Sequence, residues 1–165
     1  MAALVTGTTA PDFELKTLDG KHLSLKDELS RGPVVLAFFK VSCPTYQYAF
    51  PFLERLHQAY GANDVSLVGV SQNGAKDTAA FNKEFGVTFP VLLDDTDSYP
   101  VSNAYGLTNV PTLFWIAQDG EIEVSSVGWV KADFEQIGRK MADASKAAPV
   151  AVFKPGEDVR DFRAG

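Results

Sequence analysis

The chain carries one thiol, Cys43, and two histidines, His22 and His57. A lone thiol can attack a peroxide or a disulfide once it is ionised, or it can serve as a small buried hydrophobe, the commoner role for a solitary cysteine in an arbitrary protein. The surroundings of Cys43 favour the reactive role. It follows the apolar run Val34–Phe39 and precedes Pro44, after which Tyr46, Ala49, Phe50, Leu53, His57 and Tyr60 recur at three- and four-residue spacing. The run reads as a strand covered on both faces and the spacing as a helix, so Cys43 is expected where strand becomes helix. There a thiol meets unpaired backbone N–H groups and the positive end of the helix, both of which favour thiolate. Pro44 suits the first helical position, where its missing N–H would be unpaired anyway. Lys40, three residues before the thiol, is the cation placed to stabilise a thiolate. One cysteine allows no intramolecular disulfide, so any disulfide joins two molecules, a dimer linked through Cys43 included.

Other chemistry finds little support. His57 keeps helical spacing with Leu53 and Tyr60 and reads as a partly buried helix residue, while His22 follows a turn and reads as solvated. Two histidines and one cysteine assemble no zinc spacing, so no metal site is expected. Asp94, Asp95 and Asp97 suggest a loop or helix start and lack the Gly and Glu positions of a calcium loop. Gly69–Asn73 approaches a nucleophile elbow but ends in Asn, and neither a phosphate-binding loop nor a dinucleotide fingerprint occurs. No cofactor is expected, so reducing power must come from another protein or a small thiol.

These residues need a scaffold to position them. Thr8 to Ser24, broken at Asp19-Gly20, suggests an N-terminal hairpin. Val65–Val70 and Val91–Leu93 read as further strands, with helices over Thr78–Phe85, closed by Gly86, and Tyr99–Tyr105. Thr112–Ala117 and Glu121–Val127 flank Gln118-Asp119-Gly120 as a second hairpin, and a last helix spans about Lys131 to Ala144. Alternating strands and helices imply an α/β architecture with a mixed sheet and helices on both faces. One domain over residues 1–146 is expected, followed by an extended tail, 147–165, whose Phe153 and Phe162 could dock on the body.

Five segments carry a family resemblance: Ala10-Pro11-Asp12-Phe13, Val35–Phe39, Cys43-Pro44-Thr45-Tyr46, Tyr105–Thr112 and Gln118–Ile122. Together they resemble the thioredoxin-like superfamily, specifically its redoxin branch, which holds the alkyl hydroperoxide reductase and thiol-specific antioxidant (AhpC/TSA) proteins and the TlpA-like thiol-disulfide oxidoreductases. Pro51, eight residues after Cys43, lies where such proteins kink the first helix. Val110-Pro111-Thr112 is similar to their cis-proline loop, which implies that Pro111 faces Cys43. The resemblance implies a thioredoxin fold in which Cys43 is catalytic, with Pro44, Thr45, Tyr46, Val110, Pro111 and Thr112 positioning the substrate.

Two departures shape the expected mechanism. Family oxidoreductases have a second cysteine where Tyr46 stands, so the ordinary dithiol cycle is closed to this chain. Tyr46 can hydrogen-bond a substrate, shield the thiol or fill the space of the lost sulfur, and the last reading is favoured. The peroxiredoxin pattern Pro-x-x-x-Thr-x-x-Cys is also missing, since Phe39-Lys40-Val41-Ser42 precedes the thiol. What remains is a monothiol oxidoreductase acting on a peroxide or a disulfide and resolved by an external thiol or a thioredoxin-type reductant. The alternative is a redox-inactive module that binds extended peptides over the Pro111 loop.

Composition narrows the partners. Apolar residues make up 45% and charged residues 22% of 165 residues, ordinary for one globular domain. The 15 Lys and Arg against 21 Asp and Glu give a net charge of −6 with no dense basic stretch, which argues against nucleic acid. The apolar runs are too short to cross a bilayer, so no membrane partner is expected. MAALVTGTTAPDFEL has no charged n-region and no long apolar stretch, so a cytoplasmic location is expected, or a periplasmic one if a leader was removed.

Overall fold

The computed structural model describes residues 2–61 and 64–165. In chain order they form β1 (Glu14–Thr17), β2 (His22–Ser24), α1 (Leu25–Leu29), β3 (Val34–Phe39), α2 (Pro44–Tyr60), β4 (Ser66–Ser71) and α3 (Ala75–Phe85). There follow β5 (Val91–Leu93), α4 (Pro100–Ala104), β6 (Thr112–Ile116), β7 (Ile122–Val127), β8 (Trp129–Val130), α5 (Lys131–Ser145) and β9 (Phe162–Arg163).

Seven strands make one mixed sheet in the order β2-β1-β5-β4-β3-β6-β7. The crossovers through α2 and α3 leave β3, β4 and β5 parallel, whereas the two hairpins add antiparallel strands at either end. All six residues of β3 are buried, and their alternation divides the interior. Val35, Ala37 and Phe39 join the core beneath α2, α3 and α5, where Leu53, Phe81, Phe134 and Ile137 lie. Val34, Leu36 and Phe38 join the opposite core with Leu25 of α1 and Val101 of α4. Helices thus cover both faces, as the alternation of strands and helices predicts. Among the described residues no helix is long and apolar enough to cross a membrane.

Local signals explain the element ends. Gly86 closes α3 at φ 70°, a left-handed conformation that costs glycine little. Asp94, almost fully buried, accepts from the N–H groups of Val101 and Ser102 at 3.2 and 2.8 Å and from the Ser102 hydroxyl at 2.7 Å, so it caps α4. The short α1 was not expected. Its cap is Ser24, whose hydroxyl accepts from the Asp27 N–H at 3.1 Å.

Residues 147–165 run back over α2 and toward the Cys43 end of the sheet. The Tyr60 hydroxyl accepts from the Val150 N–H at 2.7 Å, and Phe153 packs edge-on against Phe52 at 5.2 Å. Arg55 grips Glu157 through two bonds of 2.8 Å and donates to the Val152 carbonyl at 2.9 Å. Phe162 differs from expectation. Its backbone pairs with β8, but the residue is 63% exposed, because alternation along β9 turns Arg163 toward the body and Phe162 away.

The Arg55 guanidinium and the Lys154 N–H hold the Glu157 carboxyl down at about 2. A depressed carboxyl stabilises the docked tail fully above its ordinary value near 4.5, and that contribution fades as pH falls through about 2. The Lys154 amide, 3.1 Å from Glu157, reports this directly. Its NMR shift is expected to titrate with a midpoint near 2 in the wild type and to lose that step in Glu157→Gln. A midpoint at the ordinary carboxylate value would show that the ion pair does not hold the tail.

Candidate functional site

The end of β3 sets the site. From Phe39 the chain turns through Lys40, Val41 and Ser42, held by two bridges. The Val41 N–H donates to Asn73 Oδ1 at 2.9 Å, and Gln47 Nε2 donates to the Val41 carbonyl at 2.9 Å. Cys43 is then the N-cap residue of α2, in extended conformation, with its carbonyl accepting from the Gln47 N–H at 3.0 Å. It is partly exposed, unlike a packed core thiol. Pro44 follows at the first helical position and is exposed.

Across from the thiol lies the loop before β6. The Val110–Pro111 bond is cis, and the Cys43 thiol donates to the Val110 carbonyl at 3.3 Å. Pro111 thus stands beside Cys43, although its neighbour Val110 is 67 residues from the thiol in sequence. The Pro111 carbonyl accepts from the Gly128 N–H at 2.8 Å, which ties the loop to the residue between β7 and β8. Thr112 is fully buried and its hydroxyl donates to the Asn109 carbonyl at 2.7 Å. It shapes the loop and presents no hydroxyl to solvent. Thr45 is likewise buried, and its hydroxyl donates to the Ala164 carbonyl at 2.6 Å.

Tyr46 points inward. Its ring is fully buried and stacks on Phe39 at 4.2 Å with an interplanar angle of 10°, with Phe81 at 5.7 Å. It fills core volume behind the thiol and is not open to a substrate. Its hydroxyl has no hydrogen-bond partner among the described residues. Burial, with a smaller contribution from the Glu54 charge, pushes this phenol well above its ordinary range, so it stays neutral at any working pH.

Lys40 is exposed, and its bond to Cys43 is a backbone one, the Cys43 N–H donating to the Lys40 carbonyl at 3.2 Å. His57 sits near the far end of α2, about 20 Å along the helix from the thiol. His22 lies 3.4 Å from Glu14 on an exposed hairpin. Sequence reasoning missed Asn73, Gln47, Gly128 and Ala164. Asn73 stood in the rejected elbow pattern, and the others carry no local signal.

The comparisons with known proteins bear on this arrangement. Residues 6–125 match the family described as AhpC/TSA. The chain belongs to the AhpC/TSA family. It is 33% identical over 136 residues to the thiol-disulfide oxidoreductase ResA of Geobacillus thermodenitrificans, covering 81% of this chain and 76% of ResA. The thioredoxin domain of a thiol-disulfide oxidoreductase from Bacteroides vulgatus superposes with a TM-score of 0.74 at 21% identity, covering 84% of this chain and 98% of that domain. A thioredoxin-family thiol:disulfide interchange protein from Chlorobium tepidum TLS gives 0.69 at 24% identity, over 85% and 99% of the two chains. The fold of this AhpC/TSA member is accordingly thioredoxin-like, a central mixed sheet flanked by helices.

The buried, unpartnered hydroxyl of Tyr46 costs stability, whereas its ring supports the core. Tyr46→Phe is therefore expected to raise the unfolding free energy by about 1 kcal/mol in urea titrations. Tyr46→Ala is expected to lower it by about 3 to 5 kcal/mol. A loss on Tyr46→Phe would mean that the hydroxyl has a partner in solution.

Proposed function

We propose that this protein carries out thiol-disulfide exchange with Cys43 as its single nucleophile. The observation that carries the proposal is the placement of a partly exposed thiol at the N-terminus of α2, 3.3 Å from the carbonyl that precedes the cis proline. The 33% identity to a thiol-disulfide oxidoreductase supports the same reading. The Cys43 thiolate attacks one sulfur of a substrate disulfide, forms a mixed disulfide and releases the other sulfur as a thiolate. With Tyr46 where a second sulfur would act, release requires an external thiol or a thioredoxin-type reductant. That thiol attacks the mixed disulfide, takes the substrate sulfur into a new disulfide and leaves Cys43 as thiolate.

The same thiol offers a second reaction, favoured by the antioxidant side of the family. Attack on a peroxide oxygen converts Cys43 to a sulfenic acid and releases the remaining oxygen as an alcohol or water, and two external thiols then restore the thiol. The sulfenic acid and the mixed disulfide differ in mass, so one experiment separates them.

Protein incubated with glutathione disulfide at pH 7 should gain one glutathione by mass spectrometry, lose it on addition of thioredoxin, its reductase and NADPH, and gain none as Cys43→Ser. Oxidation by an alkyl hydroperoxide with no adduct from glutathione disulfide would favour the peroxidase reading. A thiol unreactive to both, and to iodoacetamide, would leave a redox-inactive peptide-binding module. Non-reducing electrophoresis of the oxidised protein reveals any dimer linked through Cys43.

A further inference from the structure

The groove beside Cys43 is already filled by the chain itself. β9 pairs antiparallel with β8, Trp129 opposite Arg163 and Val130 opposite Phe162, and the Lys131 N–H donates to the Asp161 carbonyl at 2.9 Å. The next residues cross the site. Ala164 receives the Thr45 hydroxyl, and Gly165 lies so close to the Val110 carbonyl that a Cβ there would stand 2.5 Å from its oxygen. That same oxygen accepts the Cys43 thiol. Gly128 permits the crossing, since a Cβ at Gly128 would come within 2.5 Å of the Arg163 carbonyl oxygen, and its φ of 76° suits only glycine well.

The two halves of the tail are held differently. Residues 150–157 are anchored by Phe153 and by the Arg55–Glu157 pair. Residues 160–165 are mostly exposed and are held by backbone bonds, the Tyr48 hydroxyl accepting from the Arg160 N–H at 2.9 Å, and the Arg163 guanidinium 5.0 Å over the Tyr48 ring. These residues also lie beyond the segment that matches the family, which ends at residue 125.

We propose that residues 161–165 are a built-in competitor, a strap lying as an added strand beside Cys43 that must lift before an extended polypeptide can reach the thiol. The polypeptide would pair with β8 in place of β9 and needs a glycine-sized residue where it meets the Val110 carbonyl, as Gly165 provides. Tethered at Glu157, the strap competes at an effective concentration on the order of millimolar, so a peptide of weaker affinity is excluded. The strap itself stands on geometry alone, whereas its effect on chemistry rests on the exchange reading of Cys43.

Arg163→Pro tests it. The Lys131–Asp161 bond makes Trp129 and Arg163 the next hydrogen-bonded pair of the antiparallel ladder, and proline removes the N–H at 163 together with the contact on Tyr48. A fluorescent peptide of residues 158–165 should bind the full-length Arg163→Pro protein about ten-fold more tightly than wild type by anisotropy. Tyr48→Phe, which keeps the ring and removes the bond to Arg160, should move in the same direction by a smaller factor. Exchange with a peptide disulfide should accelerate in Arg163→Pro by more than alkylation with iodoacetamide does. Equal peptide binding by wild type and both variants, or binding by none at millimolar peptide, overturns the strap. Selective binding without exchange overturns the exchange reading and leaves the strap standing.

Discussion

Strand β3 can sit at the centre of this molecule only because every one of its six side chains is apolar and small or flat enough to pack on the face to which the pleat assigns it. Val35, Ala37 and Phe39 serve one core and Val34, Leu36 and Phe38 the other, so a register slip of one residue would exchange the two sets. β3 is also the strand to which β4 and β6 both bond, which makes it the common reference for the thiol and for the loop that faces it. Cys43 lies one short turn beyond the end of β3, and Pro111 immediately precedes Thr112 of β6, which pairs with Phe38. The meeting of thiol and proline loop across 67 residues is therefore a property of one strand pairing.

This dependence explains which parts were legible. Continuous apolar runs and helical spacing identified β3, β4, α2 and α5, because burial on both faces or on one stripe leaves a pattern in the chain itself. The Asp-Gly turns marked both hairpins for the same local reason. Cys43, Pro44 and Pro111 could be singled out because each has a conformational or chemical role unusual for its residue type. By contrast α1 is five residues long, too short for periodicity, and only its Ser24 cap distinguishes it. The pairing of β8 with β9 joins two strands of two residues each, and nothing in either segment names its partner. Phe162 shows the same limit, since hydrophobicity suggested burial and strand alternation turned the ring outward.

Tyr46 supports the site by packing, with its ring fully buried. The ring lies parallel to Phe39, the last residue of β3, and within reach of Phe81 from α3, so it is part of the core that supports the start of α2. Aromatic stacking of this kind adds about 0.5 to 1.5 kcal/mol beyond the area it buries. The thiol at the N-cap consequently rests on a helix whose first turn is anchored by packing.

The bond from Thr45 to Ala164 spans 119 positions of the chain. Contacts of such long range form late, because the ends of a large loop must first be brought together by structure already in place. Here the surface that receives residues 161–165 includes β8, Gly128, the Thr45 hydroxyl and the Val110 carbonyl, which lie far apart in the chain. A contact spanning so much of the chain needs the fold around Cys43 in place before it can form. The end of the tail thus serves as a long-range tie between the start of α2 and the β8–β9 pair.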